Sequence, residues 1–320
     1  EERIERCFIH EKTNDFPFIG TYAQDFTLIK KYRDFLLSFV ERPFHGKTIV
    51  LDCAFGAAHR IAPEIFRKAG ASVVAANCVN DGLSINKNCG AVSPQNLVKK
   101  VLRYKADIGF AFDGDADRLI AVDEKGEVID GDMILCALAV YFKKTGRLRG
   151  NAVVGTSHTN MAAEAHLKAH GIEMLRTDIG DKYVLAKLLE KGLSLGGEQS
   201  GHVILNDFAT TGDGILTAIA VMNMLLSENI TASRGLKIEL YPQKNVGVPV
   251  TDKFRVINSE ELGRQTAKCA ALLEGKGRLM IRASGTEPKI RVMAESLDKE
   301  LNRSIVSAIV STIEKINREE

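Results

Sequence analysis

Three aspartates on alternate residues, Asp113, Asp115 and Asp117, stand between apolar runs at 108–112 and 119–122, and Arg118 closes the set. Carboxylates gathered this way form a negative pocket suited to a hard divalent cation with oxygen ligands, Mg²⁺ or Ca²⁺. No His or Cys lies in the run to supply softer donors. A single aspartate in a turn commonly caps backbone N–H groups and faces water, but three in alternation carry like-charge repulsion unless a counter-ion sits among them. An EF-hand would place Glu124 at the twelfth position counted from Asp113. That reading fails, because the sixth position is Arg118 where the EF-hand loop needs glycine, and because the flanks are strand-like, not helical. Arg118 reads instead as a cation that faces a phosphate or orients the carboxylates.

Two further stretches carry chemistry. Gly196-Gly197-Glu198-Gln199-Ser200-Gly201-His202 places donors and acceptors in a flexible turn, and sugar hydroxyls need both. A plain surface turn explains these residues equally well. His202 is either a satisfied histidine heading a strand or a general acid/base working near neutral pH. Arg282-Ala283-Ser284-Gly285-Thr286-Glu287-Pro288-Lys289-Ile290-Arg291 joins two strand-like runs, with two hydroxyls, a glycine and arginines at both ends. This is the composition of a phosphate cradle. It is not a Walker loop, since G-x-x-x-x-G-K-[ST] is absent and a strand follows where a helix would.

The frame that positions these loops is legible from periodicity. A polar segment spotted with Phe8, Phe16 and Phe18 precedes apolar residues at helical spacing over 25–40 (Phe26, Ile29, Phe35, Leu36, Phe39), which end at Arg42-Pro43. Strands at 48–53, 72–78 and 107–112 then alternate with helices at 57–68 and from Ser93, with Pro94 in the first turn. A hairpin turns at Glu124-Lys125-Gly126 and a helix covers 132–143. A second pass repeats the order, with strands at 152–155, 172–176 and 202–205 and helices at 161–170, 182–191 and from 213. Gly131-Asp132-Met133-Ile134-Leu135 lines up with Gly212-Asp213-Gly214-Ile215-Leu216 at the start of each last helix. Beyond about 234 the alternation lapses, with strands at 236–240, 246–250, 278–282 and 290–294 and helices at 259–273 and 301–316. The fold class is therefore α/β: two related three-layer α/β units with mostly parallel sheets, plus a smaller C-terminal α+β domain. The expected division is 1–45, 46–149 for the metal loop, 150–234 for the sugar loop and 235–320 for the phosphate loop. In such sheets ligand groups collect at the carboxyl ends of strands, where the aspartates fall.

Composition narrows the function classes. The 320 residues are 45% hydrophobic and 26% charged, with 43 Lys plus Arg against 41 Asp plus Glu. A net charge of +2 gives no electrostatic case for nucleic acid or a membrane surface. No apolar stretch is long enough to span a bilayer, and the first residues carry no signal-peptide pattern. Six cysteines without C-x-x-C spacing (Cys7, Cys53, Cys78, Cys89, Cys136, Cys269) read as reduced thiols of a cytoplasmic protein.

D-G-D-A-D-R, G-E-Q-S-G-H and R-A-S-G-T-E-P followed by Arg291, in this order and one per unit, resemble the α-D-phosphohexomutase superfamily over about 47–316. Gln199, the run Ile85-Asn86-Lys87-Asn88-Cys89-Gly90-Ala91 and Thr210-Thr211-Gly212-Asp213-Gly214 are in the style of its phosphoglucosamine mutase subfamily. The resemblance implies three related α/β units and a smaller domain around one cleft. It also implies interconversion of glucosamine 6-phosphate and glucosamine 1-phosphate through a bisphosphorylated sugar, using a phosphoserine and Mg²⁺, in amino-sugar metabolism that feeds cell-wall precursor synthesis. Carried onto this chain, Asp113, Asp115 and Asp117 would hold Mg²⁺, with Arg118 beside them. Glu198 and Ser200 would bind sugar hydroxyls, with His202 handling protons. Arg282, Ser284, Gly285, Thr286 and Arg291 would grip the non-reacting phosphate. The partner implied is a phosphorylated hexosamine, and a homodimer stays open.

The chain departs from the family in one place: no T-A-S-H-N-P serine loop is found. Thr156-Ser157-His158-Thr159-Asn160 is the nearest look-alike, but it lacks the proline and follows the first strand of the second unit, so Ser157 is read as a loop residue. The expectation is that 1–45 is the remnant of an N-terminal domain whose phosphoserine lies upstream of Glu1, and that these residues alone are inactive. A phosphomannomutase or phosphoglucomutase, or a non-catalytic sugar-phosphate-binding protein, are the alternatives.

Overall fold

The computed structural model describes residues 6–7, 21–25, 27–285 and 287–318. Phe8, Phe16, Phe18, Phe26 and Thr286 lie outside the described residues.

Helix α1 (Thr27–Ser38) precedes the first unit, where β1 (Thr48–Asp52), α2 (Ala58–Lys68), β2 (Ser72–Ala76), α3 (Gln95–Tyr104), β3 (Ile108–Phe112), β4 (Leu119–Asp123), β5 (Val128–Ile129) and α4 (Gly131–Lys144) follow in order. The sheet runs β2-β1-β3-β4-β5, with the first three strands parallel and the last two antiparallel. Every residue of β3 is buried because helices cover both faces. Ile108, Phe110 and Phe112 enter the core that contains Phe66 of α2, while Ala111 turns toward Leu97 and Val101 of α3. Gly109 lets α3 approach, since a Cβ there would lie 2.5 Å from Val101 Cγ2.

The second unit comprises β6 (Ala152–Thr156), α5 (Met161–Ala169), β7 (Glu173–Thr177), α6 (Asp181–Lys191), β8 (Leu195–Gly197), β9 (Val203–Leu205) and α7 (Gly214–Glu228). Its sheet order β7-β6-β8-β9 reproduces β2-β1-β3-β4, antiparallel last strand included. The two units are therefore copies of one topology, as the repeated element order implies. Helix α7 is buried on most of its faces, as a helix apolar all round must be, and one continuous core runs through both units from Phe44 to Leu236.

After a short helix α8 (Ala232–Gly235), the third part holds β10 (Gln243–Pro249), α9 (Lys253–Ile257), α10 (Glu260–Leu272), β11 (Gly277–Ala283), β12 (Lys289–Ser296) and α11 (Lys299–Arg318). Its antiparallel sheet is ordered β10-β12-β11 and has a separate core. Ile290, Val292 and Ala294 of β12 face that core. The opposite face carries the cross-strand pairs Arg278–Glu295, Met280–Met293 and Arg282–Arg291.

Local departures from the sequence reading have local causes. The expected strand at 236–240 is absent: Leu236 caps α8, and Leu236 and Ile238 pack against the first core, so their period-two spacing is satisfied without a ladder. Pro94, not Ser93, occupies the cap of α3. The aligned pair Asp132 and Asp213 is also offset in capping. Asp213 caps α7 by accepting from Leu216 N–H, whereas Asp130 caps α4 by accepting from Met133 N–H, leaving Asp132 inside the helix and buried. Cys53, Cys78, Cys89, Cys136 and Cys269 carry free thiols. Among the described residues no helix is long and apolar enough to cross a membrane.

Candidate active site

The acidic loop leaves β3 and returns along β4 as an antiparallel hairpin, so strands flank it on both sides. Ala116 adopts φ +65°, the left-handed conformation that lets the loop fold back on itself. Carboxylate oxygens of Asp113, Asp115 and Asp117 lie within 4.8 Å of one another. Asp113 is buried, and its acid is pushed up to about 6, first by desolvation and then by the charge of Asp117. Its Oδ1 accepts from Arg118 N–H at 3.2 Å, and Arg118 Nε sits 3.5 Å from Asp113 Oδ2 and 3.8 Å from Asp117 Oδ1. Arg118 therefore lies beside the carboxylates it was read as orienting. Asp117 Oδ1 is buried without a hydrogen-bond partner. All-oxygen donors, mutual repulsion and a buried oxygen without a hydrogen bond fit a divalent cation at this cluster.

The loop is fixed by backbone on two sides. Ala57 N–H, in the turn after β1, donates to Gly114 O at 2.8 Å, and a Cβ on Gly56 would fall 2.2 Å from the same oxygen. In that turn Ala54 and Phe55 both have positive φ, 50° and 57°. Ile85 and Asn86 reach the outer side of the loop, against Gly114. On the other side stands the Gly196–His202 stretch. Leu119 N–H donates to Gly201 O at 3.0 Å, Gly214 N–H to Ala116 O at 2.9 Å and Gly131 N–H to Gln199 O at 3.1 Å. Arg118 and His202 form an isolated antiparallel bridge. The acidic loop and the Gly196–His202 stretch are thus one backbone-stitched body.

His202 lies inside that junction, only 3% exposed. Gly212 N–H donates to its Nε2 at 3.1 Å, which makes Nδ1 the protonated nitrogen, donating to Asp117 Oδ2 at 3.0 Å. Both ring nitrogens are occupied, so in this arrangement His202 orients an aspartate and has no free nitrogen for a proton in transit. Glu198 is half-buried and accepts from Gly180 N–H through Oε1 at 2.8 Å, while Ser200 is exposed.

In the Arg282–Arg291 stretch, Arg282 and Arg291 are directly opposed on β11 and β12 and, with His158, line a cavity of about 390 Å³ on the face of that sheet turned away from its own core. Like charges placed opposite each other destabilise a sheet unless an anion joins them. Arg282 Nε is buried without a partner. Ser284 is buried and Gly285 exposed, and Lys253 Nζ donates to the carbonyls of both.

Sequence reasoning passed over the groups that tie the second α/β unit to the C-terminal domain. Arg278 Nε donates to the fully buried Glu295 at 2.6 Å, while its Nη atoms donate to the carbonyls of Ser157 and Thr159, each at 2.6 Å. Met161 N–H donates to Glu295 Oε1 at 2.7 Å, and Asn160 exchanges bonds with the backbone of Tyr241. Glu295 shares its face of β12 with Arg291 and Met293, and no local pattern flags it as buried.

Three family models match consecutive segments: phosphoglucomutase/phosphomannomutase alpha/beta/alpha domain II at 30–126, alpha/beta/alpha domain III at 130–241, and the C-terminal domain at 246–312. The phosphoglucosamine mutase of Carboxydothermus hydrogenoformans is 42% identical over 99% of this chain and 72% of its own length. That of Caldicellulosiruptor bescii is 43% identical over 98% and 72%. A phosphoglucomutase/phosphomannomutase family protein of Burkholderia thailandensis shares the fold at a TM-score of 0.75 and 22% identity, over 90% of this chain and 64% of that one. The N-acetylphosphoglucosamine mutase of Aspergillus fumigatus, solved with GlcNAc-6P and magnesium, does so at 0.73 and 19%, over 89% and 65%. The chain thus spans about two thirds of the length of these solved relatives. With three matching family models and 42% identity over 99% of this chain in agreement, the chain belongs to the α-D-phosphohexomutase superfamily, among the phosphoglucosamine mutases.

Proposed function

We propose that the protein acts in the interconversion of glucosamine 6-phosphate and glucosamine 1-phosphate, with Mg²⁺ at Asp113, Asp115 and Asp117. The observation that carries this reading is the stitching of the acidic loop to the Gly196–His202 loop through Leu119, Gly201 and the His202–Asp117 bond. A cation there would neutralise charge on the transferring phosphoryl group. Arg118 lies beside the carboxylates of Asp113 and Asp117, and His202 fixes Asp117 from behind. Glu198 and Ser200 offer an acceptor and a hydroxyl to the sugar. Arg282, Ser284, Gly285, Thr286 and Arg291 anchor the far phosphate, so that catalysis rests on positioning and electrostatics.

Titration calorimetry tests the metal. Wild type takes up Mg²⁺ and Asp115→Asn does not; absence of uptake by the wild type removes the basis of the reading. Substrate choice rests on the phosphoglucosamine mutases among the relatives. Tighter binding of mannose 6-phosphate or glucose 6-phosphate than of glucosamine 6-phosphate would transfer the assignment to the related mutases. The sequence contains no T-A-S-H-N-P loop, and Ser157 is held by its carbonyl in the Arg278 clamp. These 320 residues are therefore expected to bind sugar phosphate without turnover, and a sensitive mutase assay with full activity would refute that expectation.

A further inference from the structure

His158 sits in the turn after β6 and lines the cavity of about 390 Å³ together with Arg282, Arg291, Met280, Met293 and Asn245. Its backbone is fixed on several sides. The N–H donates to Thr156 Oγ1 at 3.2 Å, and the carbonyls of Ser157 and Thr159 on either side accept from Arg278. The turn cannot swing away without breaking the Arg278–Glu295 clamp, so the imidazole stays over the face of the last sheet that carries Arg282 and Arg291. No protein group among the described residues hydrogen-bonds its ring nitrogens, whereas both nitrogens of His202 are occupied. Burial, followed by Arg282, Arg278 and Arg291, holds its pKa down to about 4. The ring is therefore neutral near pH 7, with an N–H to donate and no added positive charge beside two arginines.

We propose that His158 is an additional phosphate-binding residue, which donates its ring N–H to the phosphate gripped by Arg282 and Arg291 and so places a group from the sugar unit on an anchor otherwise built from the C-terminal domain. This inference rests on the sugar-phosphate reading above. The cavity supplies the room and the opposed arginines supply the charge. The imidazole supplies a directional bond that a sheet of fixed side chains cannot make from that side. Because the donor comes from a different unit, a bound phosphate would bridge the sugar unit and the C-terminal domain.

The test is calorimetric titration of glucosamine 6-phosphate, with Mg²⁺ present, into wild type, His158→Met, His158→Asn and Arg282→Ala, together with the ¹⁵N ring resonances of His158 in the wild type. Met fills similar space without a donor, while Asn keeps an N–H. The expected result is about a tenfold loss of affinity in His158→Met, since a hydrogen bond to a charged group is worth about 1.5–3 kcal/mol, with His158→Asn within about threefold of wild type and a shift of the His158 ring resonances on ligand addition. Wild-type affinity in His158→Met, or equal loss in Met and Asn with unmoved ring resonances, overturns the proposal. In that case Arg282→Ala still weakens binding and the sugar-phosphate reading stands. If the wild type does not bind glucosamine 6-phosphate, or Arg282→Ala binds as tightly as wild type, that broader reading fails instead.

Discussion

Asp117 shows how much a single side chain depends on a partner remote in sequence. One of its oxygens is buried without a hydrogen bond, 3.8 Å from Arg118 Nε, and the other is held by His202, whose second nitrogen is fixed by Gly212 N–H. Groups behind a metal ligand typically set its affinity by 10- to 100-fold. His202→Ala is therefore expected to weaken Mg²⁺ uptake by at least about tenfold while the fold is retained, read by calorimetry and circular dichroism. A second residue-scale cost lies at Phe55, an aromatic held at φ +57° in the turn behind Gly114. A non-glycine residue in this conformation costs roughly 1–2 kcal/mol, less for Asn, whose side chain bonds locally. Phe55→Asn should raise stability by about 1 kcal/mol in urea denaturation, and a lower stability would show that the half-buried ring contributes more than its backbone conformation costs. Neither effect is visible in the local sequence: an Asp-Gly-Asp run announces charge, but not which oxygen is left unpaired.

At the scale of elements, the hairpin after β3 and the Gly196–His202 stretch are joined by backbone at places where only glycine fits. A Cβ on Gly131 would come 2.0 Å from Glu198 O, and one on Gly201 would come 2.3 Å from Leu119 O. Gly131→Ala should cost about 3 kcal/mol or more, because backbone on both sides leaves nothing to move aside. The β11–β12 pair carries the other junction. Replacing Arg278 by Met leaves Glu295 buried without its cation, a loss of about 3–5 kcal/mol. The same change should raise hydrogen exchange in the turn at 156–160, whose carbonyls lose their donor. The strands themselves were legible, because apolar residues at period two or in continuous runs have few other ways to be buried. The junctions were not, since they pair residues remote in sequence, as Met161 and Glu295, 134 positions apart, show.

For the whole molecule, the shared core from Phe44 to Leu236 makes the two α/β units one body, while the last domain is attached through Asn160, Arg278 and Glu295. Asp132 lies beside this attachment, accepting from Asn160 N–H at 2.8 Å, and desolvation, followed by Asp130, pushes its acid up to about 7. A carboxyl whose folded pKa lies above its unfolded value binds more protons when folded. Stability from this group is therefore full below about pH 4 and declines as pH rises to about 7. Asp132→Asn, which keeps an acceptor for Asn160, should flatten that decline and be more stable than wild type by about 2 kcal/mol at pH 8. Parallel stability curves for the two proteins from pH 4 to pH 8 would show that Asp132 does not titrate in this range.

The sequence by itself determined the α/β alternation, the duplication of the unit and the three chemical loops, because periodicity and short runs of charge or glycine are properties of neighbouring residues. It led to a strand at 236–240 where the tertiary core absorbs Leu236 and Ile238 without one. Only the tertiary structure decided that His202 belongs to Asp117, that Arg282 faces Arg291, and that His158 joins them from another unit. Those pairings follow from strand register and domain packing, which bring together side chains that no local pattern relates.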